Sequence, residues 1–185
     1  MSLPQENHQR DQYFFAPPTR EFLREFVQGY QSPCLLFMPS MASELPAVRC
    51  LDIDDRFEGI SPGFRLFDAY RPARPADDPP YDIIIADPPF DKLRVDQLYK
   101  CMRELGMTEE GGPRLLLSYP LRREEALLAS FPSLRPMPDE FNLPQYCSVN
   151  LKRKTEEGDQ EEGSRIRWYA NFAPDEQERQ LPERL

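Results

Sequence analysis

Ile83, Ile84, Ile85 and Ala86 run directly into Asp87-Pro88-Pro89-Phe90. An apolar block of this kind, opened by Tyr81, suits a strand covered on both faces, which places it at the centre of a parallel sheet. The strand must then stop at once. Proline fixes its own φ and restricts the residue before it, so Asp87, Pro88 and Pro89 have little backbone freedom. Pro88 and Pro89 also lack an N–H, which leaves carbonyls free to face a ligand. The sequence therefore builds a rigid, oxygen-rich corner at the end of a central strand.

Other segments supply the layers around it. Short apolar runs at 34–38, 47–53, 64–70, 81–86 and 114–119 read as buried parallel strands. Phe22, Leu23, Phe26 and Val27 share one face of a helix over 19–30, with Thr19 as its expected N-cap. Leu93, Leu98, Cys101, Met102 and Leu105 form a helical stripe, and 124–131 reads as a further short helix. Two late strands, 145–151 and 165–172, close the pattern, joined by a charged loop over 152–164. Strands alternating with helices predict an α/β fold with an open, mostly parallel sheet. One domain over 12–174 is expected, with the polar residues 1–11 and 175–185 as flexible ends.

A formal net charge of -9 over 185 residues argues against a wholly basic nucleic-acid surface, though a local basic patch remains compatible with it. No apolar run approaches membrane-spanning length, and the first thirty residues lack a signal peptide's apolar core. A soluble, cytoplasmic protein is expected, with a nuclear or nucleolar site also open. The four cysteines, Cys34, Cys50, Cys101 and Cys147, form no C-x-x-C pair, and His8 is the single histidine. Neither a zinc or iron–sulfur site nor a Ser/His/Asp or Cys/His centre can be assembled from them.

Ligands of open parallel sheets bind beyond the carboxyl ends of the strands. Those ends carry Pro39-Ser40, then Asp52 and Asp54, then Asp68, then Asp87. Carboxylates gathered on one sheet edge repel unless cations or ligand donors meet them. Asp52 or Asp54 can accept hydrogen bonds from both hydroxyls of a ribose, although either can equally cap the next turn. Asp68 is a candidate for an adenine amino group. No G-x-G-x-x-G follows the first strand, which favours a nucleoside cofactor without phosphates. At the proline corner, a carboxylate and a carbonyl held rigidly can accept both hydrogens of an amine, and Phe90 can stack on a planar substrate.

These residues resemble the eukaryotic branch of the adenine-N6 methyltransferase-like family over roughly residues 11–174. That branch holds a zinc-finger rRNA adenine-N6 methyltransferase and lysine methyltransferases acting on a translation elongation factor. Gln12-Tyr13-Phe14-Phe15-Ala16 is similar to its opening segment, and Cys34 through Ser40 to its first strand. Leu51-Asp52-Ile53-Asp54-Asp55-Arg56-Phe57 resembles its second-strand motif, and Asp87-Pro88-Pro89-Phe90 its catalytic tetrapeptide. Leu51 through Asp54, Phe131-Pro132-Ser133 and the ending Arg165-Ile166-Arg167 with Asn171 through Pro174 lean toward the rRNA enzyme; Tyr169 through Phe172 also resembles the lysine enzymes.

The resemblance implies a class I, Rossmann-like fold with a seven-stranded sheet and an antiparallel C-terminal strand. It also implies S-adenosylmethionine as cofactor. Asp52 or Asp54 would meet its ribose, Asp68 its adenine, and Pro39-Ser40 its methionine part, with Gln12 and Tyr13 closing over it. Asp87 through Phe90 would hold the substrate nitrogen, and no metal is called for. Adenine-N6 methylation of RNA is the first expectation, with Arg71, Arg74, Arg122, Arg123 and the 152–154 cluster as phosphate contacts. A lysine of a basic protein partner is the alternative acceptor, and a non-catalytic subunit the third reading.

Overall fold

The structure, a computed structural model, describes residues 3–108, 111–138, 141–148 and 165–173. The strands are β1 (Pro33–Leu36), β2 (Arg49–Asp52), β3 (Phe64–Leu66), β4 (Ile83–Ala86), β5 (Arg114–Pro120), β6 (Arg135–Pro136) and β7 (Ile166–Ala170). They form one sheet in the order β3-β2-β1-β4-β5-β7-β6. The five strands from β3 to β5 run parallel, and β7 is antiparallel to β5. This is the mostly parallel, class I Rossmann-like sheet with an antiparallel C-terminal strand.

Alternation along the strands divides the core into two faces. Leu36, Leu51, Ile84, Leu115, Leu117 and Tyr169 point to one side. There α2 (Val95–Glu104) covers them with Leu98, Cys101 and Met102, and α3 (Glu124–Ser130) with Leu127. Leu35, Cys50, Ile83, Ile85, Leu116 and Trp168 point to the other. Here α1 (Pro17–Phe26) covers them with Leu23 and Phe26. β4 is buried along its whole length, as its composition requires.

The strands at the site end are shorter than the apolar runs that announce them. β1 stops at Leu36 because Phe37 turns the chain with φ 64°, and β3 stops at Leu66. The residues beyond each end become the loops around the site.

Two expectations are corrected. The sixth strand is Arg135–Pro136 rather than 145–151. It pairs with β7 alone, at the sheet edge, where a proline without an N–H is tolerated. Buried Leu134 and Met137 flank it, and Met137 N–H donates to Trp168 O at 2.9 Å. Within 145–148 there is instead an isolated antiparallel bridge from Tyr146 to Phe15; 149–151, the loop 152–164 and the tail from 174 lie outside the described residues. Thr19 is not an N-cap either. Ala16 takes that place, with Pro17 as the first helical residue, whose missing N–H costs nothing there. Thr19 is buried in the first turn and its Oγ1 accepts the N–H of Gln145 at 2.9 Å. Among the described residues, no helix is long and apolar enough to cross a membrane.

Candidate active site

β1 leads outward to β2 and β3, whereas β4 leads the opposite way to β5, so the sheet's order reverses between β1 and β4. Chains leaving neighbouring strands in opposite directions open a crevice at their carboxyl ends. A cavity of about 800 Å³ lies there, walled by Phe37, Asp52, Phe67, Asp68, Asp87 and, from the N-terminal segment, Gln12 and Tyr13. A second, smaller cavity of about 180 Å³ adjoins it, lined by Pro88, Phe90, Asp91, Arg122 and Tyr146. Asp11, Tyr13 and Asp87 line both.

The acidic residues at the strand ends have separate fates. Asp52 ends β2 buried, with no cation bonded to it among the described residues, and its Oδ1 accepts the N–H of Asp54 at 2.8 Å. Burial pushes its carboxyl up to about 7, and the neighbouring Asp54 charge adds to the rise against the hydrogen bond that opposes it. Asp54 lies outside both linings and is wholly buried. Arg56 donates to it from Nε at 2.9 Å and Nη2 at 2.6 Å, Gln12 Nε2 at 3.0 Å, and Arg10 stands 3.5 Å away. Burial opposes its ionisation, but the bonds from Arg56 and Gln12 outweigh that and hold its carboxyl below the usual range. Of the two ribose candidates, Asp52 therefore reaches the cavity and Asp54 anchors its wall.

Asp68 lines the large cavity beside Phe67, accepting the N–H of Tyr70 at 2.9 Å and Arg71 Nε at 3.0 Å. Those two donors lower its pKa. Pro39 and Ser40, expected at the cofactor, line neither cavity. They lie buried in a 3-10 turn (Pro39–Ser43), because the left-handed turn at Phe37 sends the following residues into the core. Phe37 reaches the cavity in their place.

At the proline corner, Asp87 N–H continues the sheet by donating to Leu36 O at 3.1 Å. Pro89 O is not free: it accepts the N–H groups of Lys92 at 3.0 Å and Leu93 at 2.9 Å, closing the turn that leads to α2. Phe90 O is taken by Arg123 Nη1, and the Phe90 ring meets Tyr119 edge-on at 5.7 Å. Pro88 lines the small cavity, and its carbonyl accepts no hydrogen bond among the described residues. The Asp87 carboxyl is buried and one-sided: Oδ1 accepts Tyr146 Oη at 2.6 Å and the Ser118 hydroxyl, whereas Oδ2 accepts nothing among the described residues. Burial raises its pKa to about 7, the two hydroxyls opposing the rise and the charge of Asp11 reinforcing it.

Residues 3–11, read from their polarity as a flexible end, here contribute a 3-10 turn (His8–Arg10) and wall residues of the large cavity. Asp11 Oδ2 accepts Asp91 N–H at 2.8 Å, joining this segment to the proline corner. Asp11 and Tyr146, which line the cavities, and Ser118, which with Tyr146 bonds Asp87, are residues of this candidate site that the sequence did not single out. Ser118 left a signal, a single hydroxyl within an apolar strand; Tyr146 left none.

The family described as Probable N6-adenine methyltransferase matches residues 6–174. The chain belongs to that family. A search of curated proteins finds no match. Among solved structures, precorrin-6y C5,15-methyltransferase from Geobacter metallireducens GS-15 aligns at a TM-score of 0.47 and 9% identity, covering 91% of this chain and 97% of that one. The methyltransferase domain of bacterial CtHen1 aligns at 0.44 and 12% identity, covering 83% and 96%.

As a member of the probable N6-adenine methyltransferase family, the chain is an S-adenosylmethionine-dependent methyltransferase. The large cavity fits that cofactor: about 800 Å³ lies within the ~300–1,000 Å³ span of small-molecule sites. Asp52 presents a carboxylate at the end of β2. Ile53 and Leu66 expose apolar side chains at its mouth, 56% and 50% accessible, which a planar ring would cover. When bound, the cofactor supplies an electrophilic methyl group on sulfur.

Proposed function

We propose that this chain methylates the N6 amino group of adenine in RNA. One observation carries the reading. Asp87 lines both cavities, its Oδ2 accepts no hydrogen bond among the described residues, and neither does the carbonyl of its neighbour Pro88, which lines the small cavity. An aromatic amino group has two N–H bonds and a delocalised lone pair, so it is a weak nucleophile. Two fixed acceptors that take both hydrogens draw density onto nitrogen and turn its lone pair toward the donor cavity. Orientation of this kind can supply much of the rate enhancement. No proton need leave before attack, and Asp87 can take one afterwards.

The small cavity has the features a base needs once it is unstacked from its strand. Phe90 offers an aromatic wall and Tyr146 a second. Arg122 lines the rim and is half exposed, and Arg71 stands open beside the large cavity, both available to phosphates. Their acidic neighbours, Asp91 and Asp68, temper that charge.

A lysine acceptor is favoured by a different feature. Among the described residues the small cavity is lined by Asp11, Asp87 and Asp91 against Arg122 as its one cation, a balance that suits an ammonium group. The two readings separate in one experiment: transfer of labelled methyl from S-adenosylmethionine to RNA oligonucleotides with unpaired adenines, beside basic proteins of the translation machinery. Label recovered as N6-methyladenosine after nuclease digestion supports the RNA reading. Label recovered in methyllysine, with RNA unlabelled, overturns it.

A further inference from the structure

We propose that Tyr146, together with Ser118, is a positioning residue that locks the Asp87 carboxyl so that Oδ2 faces the acceptor amine. This deepens the reading of Asp87 as the amine acceptor and rests on it. A carboxylate attached through one rotatable bond turns freely unless its oxygens are claimed unequally. Here both hydroxyls fall on Oδ1, from Tyr146 at 2.6 Å and from Ser118. The other oxygen is thereby committed to the cavities.

The two donors arrive from separate parts of the fold. Ser118 lies on β5, one residue past Leu117, which pairs with Ala86 of β4. It therefore sits beside the strand end that carries Asp87. Tyr146 lies 59 residues from Asp87 in sequence and is fixed by a patch of antiparallel pairing. Ala16 N–H donates to Gln145 O and Cys147 N–H to Phe14 O, both at 2.8 Å, and Gln145 N–H donates to Thr19 Oγ1 at 2.9 Å. The Tyr146 ring packs on Phe15 with centroids 5.0 Å apart. Its phenol thus has one well-defined position, inside the protein and at the wall of the acceptor cavity.

The hydroxyls also act on charge. Donors to a carboxylate favour its ionised form, and burial disfavours it. The groups facing Asp87 do not replace them. From the N-terminal segment come Asp11 and Tyr13, from its own turn Asp91 and Lys92, and from the 3-10 turn after β5 Arg122, each lining a shared cavity without a hydrogen bond to the carboxyl. Of these, Asp11 pushes the carboxyl toward its neutral form. Tyr146 and Ser118 are therefore the groups that keep Asp87 an acceptor near neutrality.

The test reads Asp87 directly, by carbon-13 NMR of aspartate-labelled full-length protein, with the Asp87 signal identified by its loss in Asp87→Asn. Tyr146→Phe keeps the ring on Phe15 and removes one donor. The Asp87 titration midpoint is expected to move upward by about one pH unit, as loss of one charge-assisted hydrogen bond implies. Ser118→Ala should do the same, and Ser118→Thr, which keeps a hydroxyl, should restore the original midpoint. Methyl transfer to the RNA acceptor should lose roughly tenfold in kcat near neutral pH in Tyr146→Phe and recover at higher pH, with cofactor affinity unchanged. An unmoved midpoint in both Tyr146→Phe and Ser118→Ala overturns the positioning role while leaving Asp87 as the acceptor. Full activity in Asp87→Ala overturns the reading of Asp87 itself.

Discussion

Gln12 Nε2 donates to Asp54 Oδ2 across 3.0 Å, tying the segment before α1 to the turn after β2. Arg56 closes the link from the other side, with Nη2 donating to Gln12 Oε1 at 3.1 Å and to Asp54 Oδ2 at 2.6 Å. One buried carboxylate thus holds two pieces of chain that both wall the large cavity, and Arg10 adds its charge at 3.5 Å. Gln12 and Tyr13 line the large cavity, and Asp54 holds Gln12 there from outside the lining.

Asp54→Ala is accordingly expected to act through the wall. Loss of its charge-assisted bonds should lower stability by about 2 kcal/mol, since Arg10 and Arg56 can turn to solvent and recover hydration. Cofactor affinity should fall only as far as the N-terminal segment loosens. Because the folded pKa of Asp54 is depressed, its contribution is present above the unfolded value of 3.8 and is lost as pH falls through the folded value. Urea unfolding of wild type and Asp54→Asn at neutral and acid pH checks this: the stability difference should shrink in acid.

Asp52 carries the opposite sign. Its folded pKa is raised to about 7, so between 3.8 and about 7 the folded chain keeps a proton that the unfolded chain has lost. Stability of the free protein therefore falls as pH rises through that window, and Asp87, also raised to about 7, contributes in the same sense. Cofactor binding should behave inversely, because a ribose diol needs the ionised acceptor. Calorimetry should find affinity for S-adenosylmethionine dropping as pH falls below about 7, a dependence that flattens in Asp52→Asn. Asp52→Ala should weaken binding by roughly tenfold to a hundredfold at neutral pH. A flat profile in the wild type would remove Asp52 from the ribose.

Asp87→Asn tests the asymmetry of the corner. The hydroxyls of Tyr146 and Ser118 need an oxygen, so the amide should place its carbonyl where Oδ1 stands and turn its NH₂ toward the acceptor amine. Two donors then face each other. Transfer is expected to fall at least a hundredfold, with cofactor affinity and thermal stability retained. Radiolabel transfer and a thermal melt on the same preparation are sufficient to check it.

What could be read in advance follows from the range of the interactions involved. The Asp87 corner was legible because its constraints are local, proline acting on its own backbone and on its predecessor. The parallel strands were legible because burial on both faces leaves continuous apolar runs. β6 could not be, since two residues, one a proline, carry no period. Asp52 and Asp54 are equivalent in spacing, and only the arrival of Arg56 and Gln12 on Asp54 separates them. Ser118 was detectable as a hydroxyl at a buried strand position that demands a partner. Tyr146 was not, because its meaning depends on chain closure across 59 residues.

Arg123 offers a test of the acceptor side alone. Its guanidinium spans two groups at the far end of the corner, with Nη1 donating to Phe90 O and Nη2 to Asp91 Oδ1 at 2.5 Å. It lies outside both cavity linings, so it supports the aromatic wall from behind. Removing it frees the Phe90 carbonyl and leaves Asp91, which lines the small cavity beside Asp11, with only the longer ion pair to Arg122 at 3.7 Å among the described residues. Arg123→Ala should raise KM for the acceptor by roughly tenfold while leaving the dissociation constant for S-adenosylmethionine unchanged. Arg123→Lys should recover only part of this, because a single ammonium cannot reproduce the planar fork that meets a carbonyl and a carboxylate together. A change in cofactor binding of the same size would mean that Arg123 braces the whole corner rather than its substrate face.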